Sequence, residues 1–130
     1  SKYEFIDEHY EQKVLESFIN DEMHDDLCLI LNAKKGLIVL LGCGHSGPIN
    51  SLKHAMRITE NNQVHSIVGG MHLHNSEQER IEHIVSNLKK LNPEWIVPLH
   101  CTGFTAISSM ARKFKNQIRL LNVGDVIEVN

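Results

Sequence analysis

The sequence predicts an α/β fold built on a mostly parallel sheet, and three observations carry that prediction. Short apolar runs of strand length alternate with stretches whose apolar residues recur at helical spacing. The connections are short, so parallel strands must be joined by right-handed crossovers through the intervening helices. Three of the apolar runs also stop abruptly at turns holding both glycine and histidine: "GCGHSG", "GGMHLH" and "HCTG".

Leu27–Leu31 and Leu37–Leu41 flank "NAKKG", where Gly36 is free to take a positive φ, and the pair reads as a β-hairpin. Pro48 fits the first turn of a helix, where its missing N–H costs nothing. That helix runs to about Glu60, with Ile49, Leu52, Ala55, Met56 and Thr59 on one face, and "NNQ" ends it. Val64–Val68 is a short strand. A second helix starts near Ser76, which has capping-box spacing to Glu79, and Ile81, Ile84, Val85, Leu88 and Leu91 keep its period. Asn92-Pro93 stops it. Trp95–Leu99 is the next strand, Phe104–Lys115 a third helix, and Ile118–Asn122 and Val126–Val129 two last strands around a Val123-Gly124-Asp125 turn. The predicted order is β-β-α-β-α-β-α-β-β, one domain over residues 1–130. Residues 1–24 form a mixed, partly acidic lead-in with room for a short helix near Glu8–Phe18.

Composition narrows the function classes. At 130 residues the chain can bury one layered core, and 42% hydrophobic with 22% charged residues excludes a disordered or fibrous class. A net charge of −3 without blocks of like charge argues against nucleic-acid and anionic-membrane partners. No apolar run approaches the ~20 residues of a membrane-spanning helix, and no signal-peptide pattern is present. Cys28, Cys43 and Cys101 are odd in number, which fits reduced thiols in a cytoplasmic protein. Nine histidines are the unusual feature.

In open α/β sheets ligands gather outside the carboxyl ends of the strands. Delivering His45, His72 and His100 to one sheet edge from three strands is a metal-site geometry, and imidazole suits zinc, iron, manganese or nickel. Gly42, Gly44 and Gly47 let the first turn bend sharply around His45 without Cβ clashes. Each feature alone has a plainer reading: a lone strand-end histidine is ordinarily a surface or capping residue, and "GCGHSG" could be an anion-binding turn at a helix N-terminus. Recurrence at the same topological place favours the metal site. His74 is open between ligand, support for a ligand, and solvent. Cys43 and Cys101 read as small thiols supporting the loops rather than as ligands or nucleophiles, and Cys28 as core.

The succession "GLIVLLGCGHSGPIN", "IVGGMHL" and "IVPLHCTG" resembles the metallo-β-lactamase superfamily, within it the 7,8-dihydropterin synthase-like branch of metal-dependent hydrolases. The resemblance runs from about Asp25 to the end of the sequence. It implies the C-terminal half of an αββα sandwich, with one or two divalent ions at the sheet edge, zinc first and iron or manganese as alternatives. His45 matches the third metal motif of the superfamily and His100 the last, while His72 falls where many members carry a bridging aspartate. Asp25 and Asp26 align with an acidic pair of the branch, or are simply a solvated start of a strand. The leading His-x-His-x-Asp-His motif is missing, and the chain begins without methionine. The expectation is therefore a C-terminal piece that contributes only part of a site and is inactive or weak alone. The implied chemistry is hydrolysis of a phosphoester or related small molecule by metal-activated water. The alternatives are a dihydropterin-type transferase releasing pyrophosphate and a non-catalytic assembly or regulatory fragment. Half a sandwich leaves one sheet face bare, and at ~25 cal/mol per Å² of apolar surface that face predicts pairing with a second copy or with the missing half.

Overall fold

The computed structural model describes residues 2–6 and 9–129. Its strands are β1 (Glu11–Val14), β2 (Ser17–Asn20), β3 (Cys28–Ala33), β4 (Gly36–Leu41), β5 (Val64–Gly70) and β6 (Trp95–Leu99). Its helices are α1 (Pro48–Thr59), α2 (Gln78–Leu91) and α3 (Phe104–Lys113), with a 3₁₀ turn at His100–Thr102 before α3.

The main sheet has the order β3-β4-β5-β6, antiparallel between β3 and β4 and parallel thereafter. Right-handed crossovers between neighbouring parallel strands put successive helices on the same face. The core forms there: Leu37, Val39 and Leu41 of β4, Ile67 of β5 and Ile96 of β6 meet Leu52 of α1, Ile84 and Leu88 of α2, and Met110 of α3. Alternate residues of the same strands point the other way, and that face is barer. Leu29 and Leu31, paired with Leu40 and Ile38, are 57% and 44% exposed. No helix among the described residues is long and apolar enough to cross a membrane.

The β-β-α-β-α-β-α part of the predicted order is present, and the mixed α/β class with it. Pro48 opens α1, and Glu60 and Asn92 close α1 and α2 in the left-handed conformation. Several expectations are corrected. The lead-in is a hairpin, not a helix, over its described part (Glu8 lies outside the described residues). Leu15 takes a φ of 57°, the chain reverses over Leu15-Glu16, and Val14 pairs with Ser17. Helix α2 begins one turn position later than the Ser76–Glu79 box predicts, because the Ser76 N–H is spent on a turn to the Leu73 carbonyl at 3.1 Å. Helix α3 ends at Lys113, where Phe114 turns into the core. The two last strands do not form. Only Ile118 bridges, to Ile96, and Val123 and Val126 stand in solvent around a turn in which Asp125 Oδ2 accepts the Asn122 N–H at 2.6 Å. Val123 and Val126 lie outside the hydrophobic core, whereas Ile118 packs against its margin. Cys28 is exposed rather than core, because β3 is the edge strand.

Candidate metal centre

The carboxyl ends of β4, β5 and β6 are laced together by backbone. Gly70 donates its N–H to Gly42 at 3.0 Å, joining the first two turns, while Leu73 and His74 both donate to the Cys101 carbonyl, joining the second and third. Two close approaches demand glycine. A Cβ on Gly44, which has a φ of 73°, would lie 2.6 Å from the Gly70 carbonyl oxygen, and one on Gly70 would lie 2.5 Å from that of Gly42. Gly42 itself has no such conformational demand; Gly44 and Gly47 carry the positive φ in that turn. His72 and His100 are also left-handed, with φ of 46° and 49°. Such angles are strained for residues with a Cβ and concentrate at functional sites.

Two clusters result. In the first, the half-buried rings of His45 and His72 lie 4.2 Å apart, centroid to centroid. The Tyr10 ring meets His45 edge-on at 5.3 Å, and its hydroxyl sits 3.2 Å from His72 Nε2. His74, exposed, lies 5.4 Å from His72 by ring centroids. His45 Nδ1 is buried without a hydrogen-bond partner. In the second cluster Cys43 Sγ is 3.2 Å from His100 Nε2, and Cys101 Sγ donates to the Cys43 carbonyl at 3.2 Å. The donor atoms of Cys43, His100 and Cys101 all lie within 4.8 Å of one another. Burial pushes the Cys101 thiol pKa above its ordinary value. The three strand-end histidines thus share one sheet edge but divide into a His45–His72 pair and a His100–thiol group.

The supporting residues also separate. Asp26, half-buried, accepts the Gly44 N–H on Oδ1 and the Ser46 N–H on Oδ2, each at 3.2 Å, so that its carboxylate brackets His45. Asp25 is exposed and makes no such contact in the described structure. Two participants have no sequence motif: Tyr10, and Glu4, whose Oε1 accepts the Ile49 N–H at 2.6 Å and the Asn50 N–H at 3.2 Å at the start of α1. Both act across long sequence separations from the N-terminal lead-in, and only the glycine at the N-cap of α1, which offers no side-chain acceptor, hints that one must come from elsewhere.

A solved metal-dependent hydrolase of the beta-lactamase superfamily superposes with a TM-score of 0.81 at 32% identity, over 92% of this chain and 46% of its own. Over most of its length the chain is thus similar in fold and sequence to a protein of the metallo-β-lactamase superfamily. No protein-family profile matches it. A 7,8-dihydropterin-6-methyl-4-(β-D-ribofuranosyl)-aminobenzene-5′-phosphate synthase of Methanocaldococcus jannaschii is 35% identical over 108 residues, 83% of this chain and 37% of the synthase. An uncharacterized protein of the same organism is 32% identical over 111 residues, 85% of this chain and 40% of that protein. The chain therefore spans less than half the length of each of these proteins.

The residues at the sheet edge fit a divalent ion. An imidazole nitrogen buried without a partner is costly unless something binds it, and His45 Nδ1 is such an atom. The neighbouring donors are imidazole and thiol, the set that zinc and similar ions take.

Proposed function

We propose that the chain supplies part of the centre of a metal-dependent hydrolase acting on a phosphoester or related small molecule. The observation that carries the reading is the His45–His72 pair, with the buried, unbonded Nδ1 of His45, at the carboxyl edge of a sheet whose chain is 32% identical to a metal-dependent hydrolase. His45, His72 and His100 are the proposed ligands of a one- or two-ion centre, with zinc first and iron or manganese as alternatives. When bound, the ion supplies Lewis acidity toward the substrate oxygen and the attacking water. The residues of the chain hold it in place. Asp26 fixes the turn that carries His45, and Tyr10 steadies His72 through its hydroxyl. Beside His72 a cleft of about 340 Å³, walled by Tyr3, Phe5, Tyr10, His74 and Arg80, is the proposed substrate space.

A second reading, a dihydropterin-type transferase releasing pyrophosphate, is favoured by the synthase that is 35% identical over 108 residues. Partners are proposed on the bare face: Leu29 and Leu31 would be covered by a second copy or by the rest of a longer protein. The free thiols of Cys28, Cys43 and Cys101 favour a reducing, cytoplasmic compartment.

The test is metal content by mass spectrometry on protein prepared without chelator, with its mass in solution. About one equivalent of metal, reduced in His45→Ala and His72→Ala, is the expected result. Wild-type protein with no metal, alone and in the presence of any partner it binds, would leave a non-catalytic assembly role. For the metal-loaded protein, pyrophosphate release separates the transferase from phosphoester hydrolysis.

A further inference from the structure

We infer that Cys43 and Cys101 are an oxidisable thiol pair, which a peroxide closes into a disulfide tying the turn after β4 to the turn after β6. The pair is a modification site of the chain itself. No ion takes part, so the inference stands apart from the proposed hydrolysis.

Proximity is the first argument. The two residues are 58 positions apart, yet Cys101 Sγ donates to the Cys43 carbonyl at 3.2 Å, and the two sulfurs lie within 4.8 Å of each other. A disulfide needs its sulfurs ~2.05 Å apart and its Cα atoms roughly 4.4–6.8 Å apart. Cys43 Cα and Cys101 Sγ lie 2.9 Å and 3.0 Å from the point where a side chain at position 70 would begin, and residue 70 is glycine. No side chain from that position stands between the two cysteines, and rotation about their side-chain bonds closes the remaining gap. The flanking backbone is already held in place. Gly70 donates to the Gly42 carbonyl at 3.0 Å, and the Cys101 carbonyl accepts from Leu73 and His74.

Selectivity is the second argument. Cys28 is exposed on the edge strand β3 and does not share the cluster of the other two. Cys43 and Cys101 are half-buried, which admits a small peroxide and shields them from a thiol of another chain. Oxidation-sensing thiols of reducing compartments stand beside a second, resolving cysteine in this way. Cys101 sulfur is engaged with a carbonyl, so Cys43 is the thiol that reacts first. Its sulfur attacks one peroxide oxygen, the O–O bond breaks, and the thiol proton leaves with the departing hydroxide as water. Cys101 sulfur then attacks the resulting sulfenic sulfur. The S–S bond forms, the S–O bond breaks, and a second water carries off the Cys101 proton. The two thiols are oxidised by two electrons and the peroxide is reduced by two.

The test is about one equivalent of hydrogen peroxide on the reduced chain, freed of metal by chelator, then iodoacetamide and peptide mass mapping without reduction. A Cys43–Cys101 linked peptide from within one chain is expected, with Cys28 alkylated and the link reversed by dithiothreitol. Closing so long a loop should raise the melting temperature by roughly 7–15 °C. In Cys101→Ser, which lacks the resolving thiol, dimedone should trap a sulfenic acid on Cys43. Cys28→Ser should leave the link and the melting shift unchanged. Cys43 and Cys101 each oxidised to sulfinic acid without a link would overturn the inference. So would a link that joins two chains, or oxidation confined to Cys28 with Cys43 and Cys101 both alkylated.

Discussion

Replacing Asp26 by alanine isolates what holds His45 in place. The carboxylate accepts the N–H groups of Gly44 and Ser46, each at 3.2 Å, on either side of the histidine. Hydrogen bonds to a charged group contribute ~1.5–3 kcal/mol at good geometry, but both of these are long and Asp26 is partly solvated. Ser46 is exposed, so its N–H recovers a bond to water. Gly44 is buried, and leaving its N–H unsatisfied costs ~1–3 kcal/mol. The expected loss is therefore about 2 kcal/mol. With ~2.1 cal/mol/K per residue of unfolding entropy, that lowers the melting temperature of a 130-residue chain by about 7 °C. Asp26→Asn keeps one oxygen acceptor for Gly44 and should lose about half as much. Metal affinity at His45 should fall ~10-fold or more in Asp26→Ala, the usual effect of removing an outer residue that orients a ligand. Thermal denaturation and metal titration measure the two arms. A melting temperature within about 1 °C of wild type, together with unchanged metal affinity, would refute the reasoning and make Asp26 an ordinary solvated residue.

Gly70→Ala forces a Cβ to within 2.5 Å of the Gly42 carbonyl oxygen, and urea denaturation should show a loss of ~3 kcal/mol or more, the upper range for overpacking, because the obstacle is backbone. Glu4→Ala leaves α1 without its remote cap and should cost about 1–2 kcal/mol by the same measurement. Glu79 accepts the Tyr3 hydroxyl and lies 3.6 Å from Lys2, which together hold its carboxyl below the ordinary value of 4.5. The docking it provides is complete above that ordinary value and is lost as pH falls through the lowered folded one. Hydrogen exchange at residues 2–6 should accelerate in that acid window, and Glu79→Gln should remove the dependence.

The parallel β4-β5-β6 unit was legible because its apolar runs and helix faces are local patterns that burial enforces, and Pro48 and Asn92-Pro93 mark helix ends through backbone constraints alone. Legibility failed where burial ceases to act. The β1–β2 hairpin is exposed along its whole length, so no periodic face distinguishes it from a short helix. Val126–Val129 alternates like a strand, with Ile127 and Val129 half-buried, yet it has no strand partner among the described residues. Cys28 reads as core only if β3 is interior, and strand order is not written in local sequence. The site was half legible for a related reason. Glycine and histidine at three strand exits could be read, but which donors meet depends on contacts 57 and 62 residues apart: His100 with Cys43, and His72 with Tyr10. Side-chain rotation at those turns, not spacing, decides that His100 faces sulfur.

The left-handed backbones of His72 and His100 connect stability to chemistry. An L-residue in that conformation costs roughly 1–2 kcal/mol, whereas glycine adopts it freely. At an exposed turn after a strand, glycine would be the residue that stability favours, and the sequence does place Gly69-Gly70 just before His72. Histidine at position 100 is thus a local cost without a packing gain, since the side chain is exposed and touches the Cys43 thiol. His100→Gly should therefore stabilise the metal-free chain. The relief of ~1–2 kcal/mol, less the ~0.5–1 kcal/mol of extra unfolded-state freedom of glycine, leaves about 0.5–1 kcal/mol, a rise of about 2–4 °C in melting temperature. The same variant should lose the further stabilisation that zinc gives the wild-type protein, because one of three donors is gone. The two effects have opposite signs and can be read in one experiment, melting curves with and without metal. A metal-free His100→Gly chain less stable than wild type would mean that the imidazole is structural, holding Cys43 rather than waiting for an ion.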